Sequence, residues 1–208
     1  MKYPTFTCET ELIQEGYARI GGIDEAGRGA WAGPLVSACV VLPHDFALRG
    51  WGVNDSKKLS PKKREEISAV IKERTLDFGI GRVSPEEIFS LGLSRANRLA
   101  MERAVAALLK SPDYLLIDAF FIKANVPMKI FIKGDAVIAS IAAASIIAKV
   151  ERDRIMRELA PAYPQYYFEK HKGYGTKLHQ ECLKNYGICA IHRKSYRPIR
   201  QIMKETIS

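Results

Sequence analysis

The stretch IGGIDEAGRGAWAGPLVSACVVL, residues 20–42, holds two apolar runs separated by a glycine-rich segment. The runs at 18–24 and 34–42 are rich in β-branched residues, which favours strands, and the short link between them predicts a hairpin. Asp24 and Glu25 lie where the first strand ends. A carboxylate beside a buried strand needs a proton, a cation or several N–H donors to offset its desolvation. The stretch therefore predicts both part of a sheet and a site that handles negative charge.

Similar patterns along the rest of the chain predict an α/β fold. Further strands are predicted at 76–83, 113–118 and 126–132, and helices at 60–74, 95–109, 137–157 and 177–186. A short helix is predicted after the sequence SPEE at 84–87, which has the spacing of a capping box. Three consecutive strands followed by alternating units indicate a mixed five-stranded sheet with flanking helices.

The bulk composition limits the class of protein. The chain has 208 residues, of which 47% are hydrophobic, enough for one domain with a real core. Its formal net charge of +9 favours an anionic partner, either nucleic acid or an anionic membrane. No run approaches the roughly 20 apolar residues of a membrane span, and no signal-peptide core is visible. The four cysteines form no C-x-x-C pair. We therefore expect a reduced, cytoplasmic protein without a membrane partner.

Acidic residues recur at the ends of predicted strands. Asp118 ends the run YLLID, and Asp135 follows Gly134 just before the long apolar helix. Ligand sites of α/β sheets commonly form at strand ends, so Asp24 and Asp118 converge if the first and fourth strands are neighbours. Asp24 and Glu25 point to opposite faces of a regular strand. Both reach one site only if the strand ends or bulges at the adjacent AGRG.

Each acid taken alone has a simpler interpretation. Asp135 is more typical of a helix N-cap, Asp118 of a turn, and Glu25 has Arg28 as a candidate ion-pair partner. The combination favours a site, because carboxylates gathered together raise one another's pKa unless a cation is present. Oxygen-only ligands suit Mg²⁺ or Mn²⁺. Such metals in a basic protein suggest phosphodiester chemistry with two metal ions.

Two basic segments are candidates for gripping a phosphate backbone. The run NDSKKLSPKKR contains Lys57 and Lys58 and packs five basic residues into 57–64. On the long helix, Ser145, Lys149 and Arg152 are spaced i, i+4 and i+7, so they share one face. A solvated surface is the alternative interpretation of each basic run.

An aromatic and basic segment follows residue 161. In YPQYYFEKHKGYGTKLHQ, aromatic rings alternate with lysines, a pattern that suits stacking on sugars or bases beside phosphate contacts. An ordinary packed aromatic cluster explains most of these rings equally well. Tyr174, between two glycines, has less core to pack against and is the best candidate for a substrate contact.

Six motifs in order along the chain resemble the ribonuclease HII family, the type 2 ribonucleases H. They are GIDEAGRGAWAGPLV, DSKKLS, LLIDA, KGDAVIASIAAASIIAKVERD, YPQYYFEKHKGYGT and HRKSYRP. The resemblance covers about residues 18–198. It implies a single domain with a ribonuclease H-like fold: a core of about 1–160 and a C-terminal helical extension of about 161–208. The family often has proline after GRG, whereas this chain has Ala30 and Trp31.

The resemblance also implies an activity and its residues. The family cleaves RNA paired with DNA and cuts on the 5′ side of single ribonucleotides embedded in duplex DNA, using two divalent ions, Mn²⁺ or Mg²⁺. Its four catalytic, metal-binding carboxylates correspond to Asp24, Glu25, Asp118 and Asp135. The loop whose backbone reads the ribose 2′-OH corresponds to Gly27, Arg28 and Gly29, and the tyrosine that stacks at the RNA–DNA junction corresponds to Tyr174.

Two rival functions stay open at this point. One is a structure-selective DNA nuclease on the same fold, which the GRG segment disfavours. The other is a non-catalytic binder of hybrids, which the four acids disfavour. We expect a monomer, and no sliding-clamp partner because no clamp-binding tail is recognisable before Ser208.

Overall fold

The predicted five-stranded mixed sheet is present in the computed structural model, which describes residues 3–45 and 59–205. The strands are β1 Ile20–Ala26, β2 Leu35–Val41, β3 Asp77–Val83, β4 Tyr114–Asp118 and β5 Met128–Phe131. Their spatial order is β3-β2-β1-β4-β5. β1, β2 and β3 pair antiparallel, whereas β1–β4 and β4–β5 pair parallel. The first and fourth strands are therefore neighbours, as the convergence of acids requires.

Helices flank the sheet. They are α1 Thr7–Gln14, α2 Pro61–Arg74, α3 Pro85–Leu91, α4 Leu93–Ala106, α5 Ala139–Leu159, α6 Phe168–His171, α7 Lys177–Tyr186 and α8 Arg197–Glu205. Short 3₁₀ turns occupy Gly134–Ala136, Ala160–Ala162 and Pro164–Tyr166. The Ser84–Glu87 capping box is confirmed, with both of its reciprocal hydrogen bonds formed. The helices α1, α6 and α8 were not predicted from the sequence.

The two faces of β1 carry different helices. Ile23 packs with Met101 of α4. On the other face Gly22 lies against α5, where an added Cβ would come within 2.4 Å of the Ser140 Cβ. Glycine is needed because any side chain there would collide with the helix. Since side chains alternate along a strand, Asp24 points toward α5, as Gly22 does, and Glu25 points toward α4, as Ile23 does.

The C-terminal residues pack against the loop between β1 and β2. Ala32 of that loop and Met156 of α5 share a hydrophobic cluster with buried side chains of the last fifty residues, including Tyr166, Phe168 and Ile199. The loop is also tied by backbone hydrogen bonds, from Trp31 to Gly173 at 2.8 Å and from Gly33 to Ile191 at 2.9 Å. The C-terminal segment therefore positions the loop that follows the first two acids. The division of the chain near residue 160 stays a prediction.

No helix within residues 3–45 and 59–205 is long and apolar enough to cross a bilayer.

Candidate active site

Asp24 and Glu25 occupy the end of β1, in an unbroken ladder with β2. On the α5 face, the Ser145 hydroxyl hydrogen-bonds to the Asp24 carboxylate. On the α4 face, Asn97 Nδ2 lies 3.4 Å from Glu25 Oε2. The strand does not bulge. It ends one residue after Glu25, at Ala26. The side chains of Asp24 and Glu25 point to opposite faces of the sheet, but because they lie at the end of the strand both line the same cleft.

Asp118 and Asp135 follow from β4 and from the turn after β5. Asp118 is the last residue of β4, and its Oδ1 accepts a 2.7 Å hydrogen bond from the Gly134 N–H. Asp135 directly follows Gly134 in the chain and is buried within the 3₁₀ turn. The alternative interpretation of Asp135 as the N-cap of the long helix is wrong, because Ile138 occupies that position. Asp135 is thus linked to the other acids through its neighbour.

A cleft of about 230 Å³ gathers most of the candidate residues. It is lined by Asp24, Glu25, Ala26, Gly27, Arg28, Asp118, Ser145, Lys149 and Tyr174. Three acids from two neighbouring strands, the start of the GRG segment, part of the α5 face and the tyrosine of KGYGT therefore meet at one place. Asp135 and Arg152 are not among the lining residues. Lys57 and Lys58 lie outside the described residues.

The electrostatics of the cleft are unfavourable for Asp24. Burial raises the pKa of its carboxyl well above the usual value, and the nearby negative charges of Glu25 and Asp118 raise it further. The Ser145 hydroxyl and the backbone N–H of Glu25, 2.7 Å from Asp24 Oδ1, work in the opposite direction. An ionised Asp24 is therefore costly without a compensating positive charge.

The donor chemistry fits a divalent cation. In the described part of the chain, no three His, Cys, Asp or Glu side chains are already arranged to hold a metal ion. Three carboxylates nevertheless line one cleft, and oxygen donors of this kind suit Mg²⁺ or Mn²⁺. A cation among them would relieve the repulsion that raises the pKa of Asp24. The oxygen chemistry of these residues therefore fits a divalent cation held between Asp24, Glu25 and Asp118.

Two backbone donors of the GRG turn have no acceptor in the part of the chain that the structure describes. The turn is closed by a 3.2 Å hydrogen bond from Ala30 N–H to the Gly27 carbonyl. The N–H groups of Arg28 and Gly29 donate to no acceptor within residues 3–45 and 59–205. Both residues are exposed. An unpaired pair of N–H groups beside a cleft is a ready donor site for an oxygen-bearing ligand.

Gly27 and Gly29 differ in what an added side chain would meet. Gly27 has a φ of +92°, and an added Cβ would come within 1.9 Å of Arg152 Nε, so internal packing requires glycine there. An added Cβ on Gly29 would meet nothing within 4 Å among the described residues. The fold itself therefore leaves open space above Gly29. Beside the turn, the Arg28 guanidinium stacks over the Phe120 ring at 4.8 Å from its centroid.

Of the three α5 residues predicted to contact the substrate, only two line the cleft. Ser145 and Lys149 line the cleft, and Lys149 Nζ forms a 2.7 Å ion pair with Asp153. Arg152 departs from the prediction: it is fully buried, and its guanidinium donates to the carbonyls of Ala32 and Pro34. A side chain committed to internal carbonyls is not placed to contact a phosphate. Helical spacing put it on the right face but gave no information about what covers that face.

Tyr174 is held over this face of α5. Lys149 Nζ and Arg152 Cζ each lie 5.0 Å from the centroid of its ring. Its backbone carbonyl lies 3.0 Å from His179 Nδ1, and His179 Nε2 lies 3.0 Å from His192 Nε2. Burial lowers the pKa of His179 to about 3 and that of His192 to about 4, so both imidazoles are neutral at physiological pH. Contacts to the ring and to the backbone carbonyl therefore both hold Tyr174 in place.

Sequence reasoning missed several residues that support the cleft. Asn97 is fully buried on the apolar face of α4, and this polar side chain among alanines was the available signal. Arg193 and Tyr196 were visible only as letters of the motif HRKSYRP. Nothing in the spacing of Phe120 indicated that its ring lies beneath Arg28.

Solved structures with the same fold define the class of protein. The ribonuclease H2 from Pyrococcus horikoshii OT3 superposes with a TM-score of 0.78 and 27% identity, covering 92% of this chain and 100% of that one. The RNase HII in a complex with PCNA from Archaeoglobus fulgidus gives a TM-score of 0.75 and 29% identity, covering 86% of this chain and 96% of that one. The fold is that of the ribonuclease H-like nucleases.

The sequence comparisons narrow this class to one family. The family model described as ribonuclease HII matches residues 21–199. The ribonuclease HII of Bacillus cytotoxicus is 48% identical over 199 residues, which cover 96% of this chain and 76% of the relative. The chain belongs to the ribonuclease HII family. It is a ribonuclease H endonuclease that acts on the RNA strand of RNA–DNA hybrids.

Proposed function

We propose that the cleft hydrolyses the phosphodiester on the 5′ side of a ribonucleotide, both in hybrids and at single ribonucleotides in duplex DNA, leaving 3′-hydroxyl and 5′-phosphate ends. One observation carries the proposal: the cleft lined by three carboxylates is also lined by Gly27 and Arg28, the start of a turn in which the N–H groups of Arg28 and Gly29 have no acceptor among the described residues. This arrangement supports a single site at which the proposed hydrolysis lies beside the proposed recognition of the ribose. We further propose that the enzyme acts in the cytoplasm as a monomer.

The acids hold the reaction centre. Asp24, Glu25 and Asp118 present oxygen ligands to the cleft, and Asp135 is proposed as the fourth through its link to Asp118. Two bound Mn²⁺ or Mg²⁺ ions would supply an activated water and charge stabilisation for the leaving 3′ oxygen. The Ser145 hydroxyl keeps Asp24 oriented toward α5. Asn97 does the same for Glu25 on the α4 side.

The turn and α5 select and hold the substrate strand. The N–H groups of Arg28 and Gly29 are proposed to donate to the 2′ oxygen, the group that distinguishes RNA from DNA at one nucleotide. The open space at Gly29 lets the sugar approach the backbone. Lys149, with Lys57 and Lys58, is proposed to contact phosphates, and Ser145 lies at the floor of the same cleft.

Tyr174→Ala is expected to lower cleavage at a single embedded ribonucleotide by about tenfold to a hundredfold, the value of one lost stacking contact. Cleavage of a long hybrid should fall less, because only the single ribonucleotide depends on the RNA–DNA junction. The measurement is kcat/KM on both substrates. Tyr167→Ala is the matched control, since that ring is half exposed and is absent from the lining of the cleft. Equal slowing of both substrates by Tyr174→Ala would assign the ring a general stacking role.

The two rival functions are less well supported. A DNA nuclease that ignores ribose has no use for a turn that, among the described residues, has two N–H groups without an acceptor and open space above Gly29. A non-catalytic hybrid binder has no use for clustered carboxylates, which weaken the binding of an anionic strand unless a cation is present. Membership of a nuclease family also favours catalysis.

The proposed function is tested by incision of a duplex that contains one ribonucleotide. We expect cleavage on its 5′ side with Mn²⁺ or Mg²⁺ and none with a chelator. The downstream product should carry a 5′-phosphate and the upstream product a 3′-hydroxyl, which labelling and extension assays distinguish. Cleavage that persists in the chelator, or that leaves a 3′-phosphate, would contradict the proposed chemistry.

A further inference from the structure

The loop that follows β1 is anchored to a single buried arginine of the C-terminal segment. Arg193 is fully buried and donates to four carbonyls of residues 27–34. The bonds run to Gly27 at 2.7 Å, Arg28 at 3.2 Å, Gly33 at 2.9 Å and Pro34 at 2.9 Å. The Arg193 side chain thus joins both ends of a loop that lies more than 150 residues earlier in the sequence.

Tyr196 completes the same anchor. Its hydroxyl donates to the Arg28 carbonyl and accepts a 2.8 Å hydrogen bond from Arg193 Nη1. The Arg28 carbonyl is therefore held by two side chains from one short segment.

The anchor carries a buried charge without an acidic partner. No carboxylate in residues 3–45 or 59–205 forms an ion pair with Arg193, and burial lowers the pKa of its guanidinium. A buried cation without a counter-ion is unfavourable for stability, and neutral carbonyls offset only part of that cost. The arginine is suited to orienting several carbonyls at once, because its donors form a rigid fork.

The geometry of the peptide bond means that this anchor also sets the direction of the Arg28 and Gly29 N–H groups. In a trans peptide the carbonyl of one residue and the N–H of the next point in opposite directions. The carbonyls of Gly27 and Arg28 point inward to Arg193. The N–H groups of Arg28 and Gly29 therefore point outward, away from the buried guanidinium and toward the exposed side of the turn.

We infer that Arg193 and Tyr196 are positioning residues for ribose recognition, which they govern by fixing the peptide planes of the GRG turn. The inference rests on the proposed function, since it gives the two aimed N–H groups the 2′ oxygen as their acceptor. Neither side chain touches the substrate. Loosening the anchor should leave the phosphate contacts in place and lose the distinction between ribose and deoxyribose.

Tyr196→Phe tests the inference with the removal of one hydroxyl. The readout is the ratio of dissociation constants for a duplex with one ribonucleotide and the same duplex made of DNA alone, measured by fluorescence anisotropy in a chelator. We expect the ratio to shrink by about fivefold or more, as for one lost hydrogen bond. Affinity for the all-DNA duplex should stay unchanged. Arg193→Lys keeps the charge but not the fork, so it should reduce the ratio further.

Tyr166→Phe is the matched control. Its hydroxyl is also part-buried in the C-terminal segment and donates to a backbone carbonyl, that of Gly187 at 3.0 Å, but it has no contact with the turn. Both tyrosine variants should lower the melting temperature slightly, and only Tyr196→Phe should change the ratio. An equal ratio in both variants would overturn the positioning role while the proposed function stands. No discrimination by the unmodified protein would instead contradict the proposed function.

Discussion

Asp24→Asn is expected to reduce cleavage by about a thousandfold or more, the scale of several kcal/mol of lost charge stabilisation. The fold should survive, because asparagine keeps the oxygen that accepts from the Glu25 N–H and the shape that fits beside Ser145. Without divalent ions, the variant should melt at a higher temperature than the unmodified protein. The reason is that burial and two neighbouring acids make ionised Asp24 unfavourable in the folded state.

The pH dependence of stability has a definite sign. The pKa of Asp24 is higher in the folded state than in the unfolded state, so the folded state binds the proton more tightly. The contribution of Asp24 to stability should therefore rise as the pH falls from its folded-state pKa toward the unfolded value of about 4. Asp24→Asn should lack this rise. Unfolding curves of both proteins across that range, in a chelator, measure the difference.

Asp113→Asn is the matched control for this prediction. Asp113 accepts hydrogen bonds from the N–H groups of Ala18 and Arg19, at the start of β1 and β4 rather than at the cleft. Its substitution should lower stability and leave kcat/KM nearly unchanged. Substantial cleavage by Asp24→Asn at saturating Mn²⁺ would rule out the catalytic role of Asp24.

Gly29→Val is expected to slow cleavage by about a hundredfold, the cost of displacing a substrate slightly from its reactive position. Within the described residues an added Cβ at Gly29 meets nothing, so the fold and the melting temperature should not change. A β-branched side chain would instead occupy the space proposed for the ribose. Duplex affinity should fall much less, because phosphate contacts lie elsewhere.

Gly29→Ala provides the graded comparison, with a smaller loss expected from a smaller side chain. Rates and anisotropy measurements on the same protein preparations separate cleavage from binding. Cleavage by Gly29→Val near the unmodified rate would mean that the sugar does not approach the turn at Gly29. A large drop in melting temperature would mean that glycine is needed for the fold instead.

The sheet and its acids were predictable from local sequence. Each strand lies within two residues of its predicted limits, because apolar β-branched runs bounded by glycine and proline are strong local signals. The sequence made the convergence of Asp24 and Asp118 conditional on β1 and β4 being neighbours, and the structure meets that condition with a parallel pairing of the two strands. The interruption expected after Glu25 proved to be the end of the strand rather than a bulge.

The supporting residues were not predictable, because their roles depend on contacts between distant parts of the chain. Helical spacing placed Arg152 on the face of Ser145 and Lys149, yet the loop and Tyr174 cover it. Arg193 has no periodic pattern around it, and its four carbonyl partners lie in a different element. The helix α8 was missed although Ile199 and Ile202 face the core, since the segment is short and rich in basic residues.

The central claim is that the cleft joins metal-dependent hydrolysis to recognition of one ribose 2′-OH. The most direct measurement compares incision rates of three duplexes that differ only at one nucleotide, which carries a 2′-hydroxyl, a 2′-methoxy group or no 2′ oxygen. With Mn²⁺ present, we expect rapid incision 5′ to the hydroxyl-bearing nucleotide and none at the other two. Comparable incision of the all-DNA duplex would contradict it.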